Sequence, residues 1–563
     1  MMNLKPHRLH AAGTGARWLL VLLLALLCGQ PLTAQTQQAS VTCTVRILDP
    51  DGAPVSGAAV VIKGANKGEI ADANGVVRFR DIPRDAVLSV SYLGMEPREE
   101  AVNGRTAFDI TLTQSSLVMD ELVVVGYGVQ RKRDLSGAVA QVKGDVINEF
   151  ANLSVASALQ GRVSGVQINQ LNGQPGAAIQ VRIRGANSIK GNNEPLWIIN
   201  GFPGDINMIN TSDIESVEIL KDASATAIYG SRGANGVVIV TTKSAREGKV
   251  KVTYDGSVGI QTVTKQMDVL SGDEYMTYLN EKARINDQPE VFSPEQIAAN
   301  VWNTNWQDEV FRTAVITNHA VDVSGGGPNF KGSLGLSYFD QDGIVKESGY
   351  ERISIRTNLQ YNISKYVSAS ANVIFSRSNH NQMNSQGGSR GTSVINSVLS
   401  ASPLATPHYD DGSWNDFQTQ PTAGMNPVAY LNEVKNKWYA NRLLANASLT
   451  VKPVDGLAVQ ISANVSNSQS RKDFTRSRAY PNYDGAASID FSETLGITSN
   501  NIITYDKRFG RHSINVMGGI TYEQSTSKGV GTGTASGFLS DVVGSYDLDA
   551  ADIKGLPTSS YSD

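Results

Sequence analysis

From about Lys249 onward, the chain alternates apolar and polar residues over stretches long enough to cross a membrane as β-strands. Four such stretches are VSASANVIFSR from Val367, LLANASLTV from Leu443, LAVQISANVS from Leu457 and RHSINVMGGITYE from Arg511. Successive side chains of a strand point to opposite faces, so each stretch has one apolar and one polar face. Such strands with long polar loops are typical of an outer-membrane barrel, although a soluble sandwich gives similar alternation. An insert between Asp268 and Arg312, rich in Glu, Asn and Gln, is predicted to be helical and solvated.

The N-terminus has the three parts of a secretory signal peptide. Two arginines and a lysine precede eleven apolar residues, Trp18–Cys28, and the sequence PLTAQ follows. We predict cleavage after Ala34, which makes Gln35 the first residue of the mature chain. The apolar segment is too short for a membrane anchor. Leu27 disfavours a lipoprotein cleavage site at Cys28, because the lipoprotein signal peptidase requires a small residue directly before the cysteine. The secretion signal and the length of the alternating strands favour a membrane barrel over a soluble sandwich.

Composition narrows the classes of function. The net charge of -4 and the lack of a long Lys/Arg block exclude a nucleic-acid-binding surface. A charged fraction of 18% with 53 glycines suits β-structure with many turns. After signal cleavage Cys43 is the single cysteine of this sequence, which leaves no partner for an internal disulfide. We predict that Cys43 is a small buried apolar residue on a strand.

Residues 41 to 114 consist of short strand-like runs separated by turn sequences. The runs are VTCTVRI, AAVVIKG, GVVRF, AVLSVSYLG and AFDITLT, and the turns are DPDG, DANG, IPRD and VNG. Closely spaced short strands predict a small β-sandwich. DPDG and DANG share acidic residues with calcium loops but lack the further oxygen ligands and the distal Glu, so we interpret them as turns.

Residues 134 to 245 have a different pattern. SVASALQGRV is predicted to be a short helix, and GVQINQ, AIQVRIRG, EPLWIING and ESVEILKD are predicted strands. DASATAIYGSRGANGVVIVTTK then gives a helical turn, a glycine loop and a final strand. This mixture predicts a compact α+β domain.

The motifs of enzymes are matched only in part. Gly387 to Gly391 (GGSRG) fits the nucleophile-elbow pattern, but an elbow needs a strand before it and a helix after it, and here the setting is a polar loop. SGGGPNFKGS departs from the phosphate loop because Ser333 follows Gly332 where lysine is needed. The histidines beyond the signal peptide are scattered, without metal-ligand spacing. We therefore predict no enzyme activity, no catalytic residue, no metal site and no cofactor.

The segment MDELVVVGYGVQRKR, residues 119 to 133, lies between these two regions. Leu122 to Val125 is an unbroken apolar run of strand-forming residues. Two acids precede it, and two glycines and three cations follow. The run is either a buried strand of some core or a strand that remains free for another protein to pair with.

The order of these parts resembles a TonB-dependent outer-membrane transporter, and more narrowly the SusC/RagA group. The matching residues are MDELVVVGYG, LSGAVAQV, SALQGRVSGVQI, GQPGAAIQVRIRG, PLWIINGFP, DIESVEILKDASATAIYGSRGANGVVIVTTK and NTNWQDEVFRT. Asn200 departs from the group, which usually has Asp before that Gly. The sandwich resembles a carboxypeptidase-regulatory-like domain.

The resemblance implies a mainly β fold: an N-terminal β-sandwich, an α+β plug domain and part of a 22-stranded transmembrane β-barrel. The implied divisions are a signal peptide (1–34), the sandwich (35–115), a TonB-box linker (116–133), the plug (134–245) and the barrel part (246–563). About nine strand candidates follow Lys249, and an open sheet edge is unsatisfied in lipid. We therefore expect this chain to be the N-terminal part of a longer protein.

The resemblance also implies a function and its partners. It implies active import of a nutrient, an oligosaccharide or a peptide, across the cell outer membrane. The partners would be the TonB energy-coupling protein at the periplasmic face, a SusD-like lipoprotein at the outer face and outer-membrane lipid. The TonB-binding residues would be Asp120, Glu121, Leu122, Val123, Val124 and Val125. The alternative is a secreted β-rich adhesin or binding protein without transport activity.

Overall fold

A computed structural model describes residues 40–563 except 50–51, 66, 93–94, 96, 114–121, 126–127, 132–138, 149–153, 171, 246, 384–392, 418–424, 511 and 543. The chain divides into two compact units, Met1–Asp120 and Glu121–Asp563. The predicted cleavage site at Ala34 and Gln35 lies outside the described residues, as does the GGSRG loop.

The first unit is a β-sandwich. Its strands are β1 (Ser40–Leu48), β2 (Ala59–Ile62), β3 (Gly68–Ile70), β4 (Val76–Pro83), β5 (Val87–Ser91), β6 (Arg98–Ala101) and β7 (Ala107–Thr111). One sheet has the order β4-β1-β7 and the other β3-β2-β5-β6. Apolar side chains such as Ile47, Phe79 and Leu88 are buried in its core. Cys43 is fully buried among them, which confirms its predicted role.

Two strands of the sandwich were not predicted from the sequence. β3 is exposed along its whole length, and β6 has the sequence REEA. Both lie at sheet edges, where charged and exposed residues prevent pairing with other chains. These strands form because a neighbour supplies backbone hydrogen bonds, so a hydrophobic pattern does not reveal them. The DANG sequence is a turn, as predicted: Asp72 Oδ1 accepts hydrogen bonds from the backbone of Asn74 and Val76, both at 2.9 Å.

The second unit begins with a hairpin and an α+β region. The hairpin strands are β8 (Leu122–Val125) and β9 (Gly128–Arg131). The strands of the α+β region are β10 (Val139–Lys143), β11 (Val166–Gln170), β12 (Ile179–Ile183), β13 (Leu196–Ile199), β14 (Phe202–Pro203), β15 (Ile214–Leu220) and β16 (Val237–Thr242). Its helices are Gly144–Ile147, Val155–Ala158 and Ala223–Thr226, with 3-10 segments Ile206–Met208, Thr211–Asp213 and Ala227–Asn235. A five-stranded sheet has the order β10-β15-β16-β13-β14, and β11 pairs with β12. We call this region the plug.

A twelve-stranded sheet forms the rest of the chain. Its strands are β17 (Gly248–Gln261), β18 (Ala314–Gly326), β19 (Phe330–Asp342), β20 (Gly349–Asn362), β21 (Val367–Asn381), β22 (Val434–Val454), β23 (Leu457–Arg476), β24 (Ala486–Phe509), β25 (His512–Gly531), β26 (Ala535–Phe538), β27 (Ala551–Ile553) and β28 (Thr558–Ser562). Consecutive strands from β17 to β25 pair antiparallel. All four alternating stretches quoted above are strands of this sheet, as predicted.

The connections of the large sheet differ at its two ends. At one end the connections 327–329, 363–366 and 455–456 are short turns, and β24 and β25 are separated by two residues in the chain. At the other end, 343–348 and 477–485 are of moderate length, and the remaining connections carry the helices Gly272–Ile285, Pro294–Ala298, Trp306–Val310, Val394–Ser400 and Pro427–Glu433, with 3-10 segments Gly544–Tyr546 and Leu548–Ala550. The helices in 262–313 confirm that the insert is helical, but its last helix is not solvated, because Trp306 and Val310 are buried against apolar residues of the 382–433 connection. This asymmetry is typical of short periplasmic turns and long outer loops.

The two faces of the large sheet have opposite polarity. On β20, Arg352 and Ser354 are each 3% exposed, whereas Ile353 is 47% exposed. The polar face is covered, with Arg352 and Arg356 both bonded to the plug, and the apolar face is open. A soluble sandwich buries its apolar face instead, so this arrangement decides between the two interpretations of the alternating pattern. No helix among the described residues is long and apolar enough to span a membrane.

Candidate functional site: the coupling strand and the plug contacts

Four of the six residues proposed for TonB binding form β8. Leu122 pairs with Arg131 and Val125 with Gly128, in a two-stranded sheet that is separate from the plug sheet and from the large sheet. Asp120 and Glu121 lie outside the described residues. The apolar run is thus a strand of its own hairpin. In the described part of the chain, β8 has no third strand on its other edge.

The register of the hairpin fixes the direction of its backbone groups. A two-residue connection makes Val125 and Gly128 the closing pair, which exchanges both N–H···O bonds. Bonded and non-bonded pairs alternate along an antiparallel ladder. The N–H and C=O groups of Leu122 and Val124 therefore point away from β9. These groups give β8 an outer edge with which another strand can pair.

A buried ion cluster joins the plug to the large sheet. Arg356 of β20 is 2% exposed and donates from Nε to Oδ1 of Asp213 in the plug at 3.0 Å. Its Nη2 donates to Asp322 of β18 at 2.5 Å, and Nη1 donates to the carbonyl of Lys243 at 2.5 Å. Ser333 accepts a further bond at 3.2 Å. Every nitrogen of the guanidinium is satisfied, which a buried arginine requires.

Gly335 makes room for this cluster. It lies between Asp322 and Arg356 in the cross-strand register. A Cβ atom on Gly335 would lie 2.9 Å from Oδ1 of Asp213 and 3.0 Å from Nη2 of Arg356. The missing side chain therefore lets the plug carboxylate reach the arginine.

Two further arginines of the same face hold the adjoining part of the plug. Arg352 donates from Nη1 to the carbonyl of Asn207 at 2.9 Å. Arg442 of β22 forms an ion pair with Asp205, with Nε 2.6 Å from Oδ2. The plug segment from Asp205 to Asp213 contains both short 3-10 segments that precede β15. Three arginines therefore fix this one segment to the sheet.

A glycine of the plug packs against two rings near the long-loop end of the sheet. Gly176 has φ +67°, and a Cβ atom there would lie 2.5 Å from Cδ2 of Tyr350 and 2.6 Å from Cε1 of His380. The two rings pack edge to face with centroids 4.4 Å apart. Next to this contact, Gln174 donates to the carbonyl of Met383 at 3.0 Å. Both the backbone conformation and the close approach require glycine here.

Asn200 is the residue that departs from the resembled pattern, and both polar atoms of its side chain are hydrogen-bonded. It has φ +48°, a conformation that asparagine tolerates better than most residues. Its Nδ2 donates to Oγ1 of Thr242 at 2.9 Å, and its Oδ1 accepts from the backbone N–H of Thr242 at 3.0 Å. The side chain thus ties the turn between β13 and β14 to β16.

Glu218 of β15 links the edge strand β10 to the rest of the plug sheet. It pairs with Gln141 of β10 in the register and accepts from Nε2 of Gln141 at 3.0 Å and from Oγ of Ser216 at 2.7 Å. The side chain is buried, and its Oε2 atom has no hydrogen-bond partner in the described residues. Burial raises the pKa of the Glu218 carboxyl above its usual range, against the opposing effect of these hydrogen bonds.

Parts of both units match known protein families. Residues 131–237 match the model of the TonB-dependent Receptor Plug Domain, and residues 46–124 match the CarboxypepD_reg-like domain. TonB-dependent receptor P3 of Formosa agariphila is 34% identical over 541 residues, 95% of this chain and 52% of the relative. TonB-dependent receptor SusC of Bacteroides thetaiotaomicron is 32% identical over 458 residues, 76% of this chain and 44% of the relative.

The chain belongs to the SusC/RagA-type TonB-dependent receptors. Its family and fold assign it to the outer membrane. The chain spans about half the length of the curated relatives it matches. The matched relatives are receptors and not enzymes.

Solved structures show the same fold. The structure titled as the RagAB peptide importer in the open-open state is 23% identical, with a TM-score of 0.70. The superposition covers 78% of this chain and 53% of the importer chain. The closed-closed state of the same importer gives a TM-score of 0.66 at 22% identity. These structures show a plug and a β-barrel fold, so the large sheet is part of a barrel and its arginine-bearing face lines the lumen.

The sequence indicated the coupling strand and the plug but not the contacts between plug and barrel. Arg352, Arg356 and Arg442 stand among polar residues of alternating strands, where lumen-facing arginines are ordinary. Their partners in the plug lie 113 to 237 residues away in the chain. One signal was present: Gly335 interrupts the alternation of β19, and a glycine inside a strand marks close backbone approach.

Proposed function

We propose that the receptor to which this chain belongs actively imports a nutrient across the outer membrane, driven by a TonB-type protein that pairs with Asp120–Val125. The observation that carries the proposal is the outer edge of β8, with its backbone groups at Leu122 and Val124 directed away from β9. This edge stands directly before the plug in the chain. A strand added there gains main-chain hydrogen bonds of about 0.5–1.5 kcal/mol each, so the bond forms and releases.

The cargo in this proposal is an oligosaccharide or a peptide, and a SusD-like lipoprotein binds at the outer face. The similarity to SusC and to a structure titled as a peptide importer supports this range of cargo. The proposed divisions are a signal peptide cleaved between Ala34 and Gln35, the sandwich 35–115, the coupling segment 116–133, the plug 134–245 and the barrel part 246–563. Lipid surrounds the apolar face of the barrel.

The experiment compares Val124→Pro with Val124→Ala in the full-length receptor. Proline removes the outward N–H of Val124 but leaves the inward bonds of Val123 and Val125, so the hairpin and barrel persist. We expect energised cells to lose accumulation of labelled oligosaccharide or peptide with Val124→Pro, at unchanged surface abundance. Val124→Ala keeps the backbone bonds and should be milder. Normal accumulation with the proline variant would refute the assignment of β8 as the coupling strand.

A further inference from the structure

The lumen face of the barrel changes character between its two ends. Toward the long-loop end it carries Arg352, Arg356 and Arg442, which contact the plug. Nearer the short-turn end it carries two rows of uncharged side chains, one residue per strand from β20 to β24. The first row is Asn358, Asn372, Asn446, Asn464 and Thr498. The second row is Gln360, Ser370, Ser448, Ser462 and Asn500. We call these two rows the neutral wall.

The neutral wall is a ladder of amides and hydroxyls. Asn358 donates to Asn372, and Asn372 donates from Nδ2 to Oδ1 of Asn446 at 3.0 Å. In the second row the hydroxyls of Ser370 and Ser448 lie 2.8 Å apart. Neighbouring strands are about 4.8 Å apart, so each row repeats its hydrogen-bonding groups at that interval.

Several of these groups are buried without a partner. Asn464 is 1% exposed, Asn500 3% and Asn358 7%, and the Oδ1 atom of each has no hydrogen bond in the described residues. Buried polar atoms are normally satisfied by protein or by ordered water. Three orphaned acceptors on one face therefore indicate a surface built for hydrogen-bond donors that are not part of this chain.

Most side chains of the neutral wall are buried, but they are not bonded to the plug. The ion pairs of Asp205 and Asp213 are with arginines nearer the long-loop end, and plug Arg232 pairs with Glu523 of β25, the residue that follows Thr498 in the cross-strand register. Among the described residues, no hydrogen bond joins a side chain of the neutral wall to the plug. The plug can therefore part from the ten side chains of the neutral wall with only the flanking Arg232–Glu523 pair broken, while the three arginines still hold the segment from Asp205 to Asp213.

We propose that the neutral wall lines the passage that opens during transport and is a second binding surface for cargo, which must be uncharged and rich in hydroxyl or amide groups. This inference rests on the proposed import function. Hydroxyls and amides can replace water on the orphaned acceptors one bond at a time, each at about 0.5–1.5 kcal/mol. A charged cargo would lose hydration here without meeting a free counter-charge, because the wall is uncharged and the flanking Arg356 and Glu523 are each paired. Neutral oligosaccharides and uncharged peptides share the required chemistry.

Cysteine labelling tests the position of the passage in the full-length receptor. Asn446→Cys and Asn464→Cys place thiols on the neutral wall. Asn318→Cys is the control, because Asn318 lies on the same face of β18 but accepts a hydrogen bond from plug Asn210 at 2.8 Å. The wild-type receptor, in which Cys43 is buried, gives the background. The probe is N-ethylmaleimide, and the cells are compared with the Val124→Pro form of each variant.

We expect energised cells to label the two neutral-wall thiols about tenfold faster than their Val124→Pro counterparts, with little change at position 318. Equal labelling of the wall thiols in both backgrounds, while the wild type still accumulates cargo, would overturn the passage. Failure of the proposed function looks different: Val124→Pro would then leave accumulation itself unchanged.

A charge substitution tests the class of cargo. Asn446→Asp introduces a carboxylate into the neutral wall, and Asn432→Asp makes the same change at an exposed position of a helix in a long loop. We expect Asn446→Asp to lower accumulation about tenfold, Asn446→Gln to recover it partly, and Asn432→Asp to have no effect. A labelled maltooligosaccharide and an end-capped Ala/Ser peptide distinguish the two neutral sources. Preferential accumulation of an acidic or basic peptide by the wild type, or equal accumulation by Asn446→Asp and Asn446→Gln, would overturn the proposal.

Discussion

The guanidinium of Arg356 and the carboxylate of Asp213 connect the barrel to the plug, with Nε 3.0 Å from Oδ1 and the arginine 2% exposed. The same arginine bonds Asp322 of the barrel. It is therefore shared between two carboxylates, one from each part. Losing it leaves both carboxylates without their counter-charge in a buried site.

Arg356→Gln is expected to loosen the plug. Breaking a buried ion pair by removing one partner costs about 3–5 kcal/mol. Arg352→Gln is the matched control, because Arg352 has the same strand and burial but a single bond to a plug carbonyl. We expect Arg356→Gln to raise permeability of the outer membrane to a large antibiotic more than Arg352→Gln does, at equal receptor abundance. Equal leakage of the two variants would contradict a central role for Arg356.

Gly176→Ala is expected to displace the plug loop that contains it. The new Cβ would overlap Tyr350 and His380, and the positive φ adds strain. Overpacking of this kind costs about 1–3 kcal/mol. Tyr350→Ala removes one of the two rings, so the double variant should lose less stability than the sum of the single variants. Thermal unfolding of the four purified proteins measures this coupling, and strict additivity would mean that the contact is not formed.

Glu218 should make the pairing of β10 and β15 dependent on pH. Burial raises the pKa of the folded Glu218 carboxyl above its unfolded value. The contribution of Glu218 to the stability of the folded state is therefore most favourable below the unfolded pKa, where the carboxyl is protonated in both states. It is lost as pH rises through the folded pKa. Glu218→Gln keeps a hydrogen-bond acceptor and removes the charge. At pH 8 it should therefore slow hydrogen exchange of Val139–Lys143, which corresponds to a free energy of local opening higher by about 1 kcal/mol. At pH 4 the variant and wild type should converge. A constant difference across pH would exclude titration of Glu218.

Asn200→Asp is expected to be nearly neutral, within about 0.5 kcal/mol. The hydroxyl of Thr242 lies 3.3 Å from Oδ1 and can donate to a carboxylate instead of accepting from the amide. Asn200→Ala loses both bonds and places alanine at a positive φ, at a cost of about 1–2 kcal/mol. Unfolding midpoints of the three proteins test this. An Asp variant as unstable as the Ala variant would show that the amide itself is required.

The sequence predicted those elements whose own residues determine their structure. β21, β22, β23 and β25 were found because their alternation matches one covered and one open face. Leu122–Val125 was correctly separated as a distinct strand, but its pairing with Gly128–Arg131 was not predicted, since GVQR has no strong strand pattern. β3 and β6 were missed for the same reason, because their sequences also have no hydrophobic strand pattern and they pair only through a neighbouring strand.

The plug contacts could not be predicted because they depend on three-dimensional register. Asp213 and Arg356 are 143 residues apart in the chain, and nothing local to either residue identifies the other. Likewise, the neutral wall appears only when the register places residues from β20 to β24 in common rows. Single strands show ordinary Asn and Ser on their polar faces.

Hydrogen exchange of β8 tests the central claim most directly. In the full-length receptor, the register predicts that the inward amides of Val123 and Val125 are protected, while the outward amides of Leu122 and Val124 exchange freely. Adding the periplasmic domain of a TonB-type protein should protect Leu122 and Val124 and leave Val123 and Val125 nearly unchanged. If the outward amides exchange as fast with the added domain as without it, β8 is not the strand through which this receptor is driven.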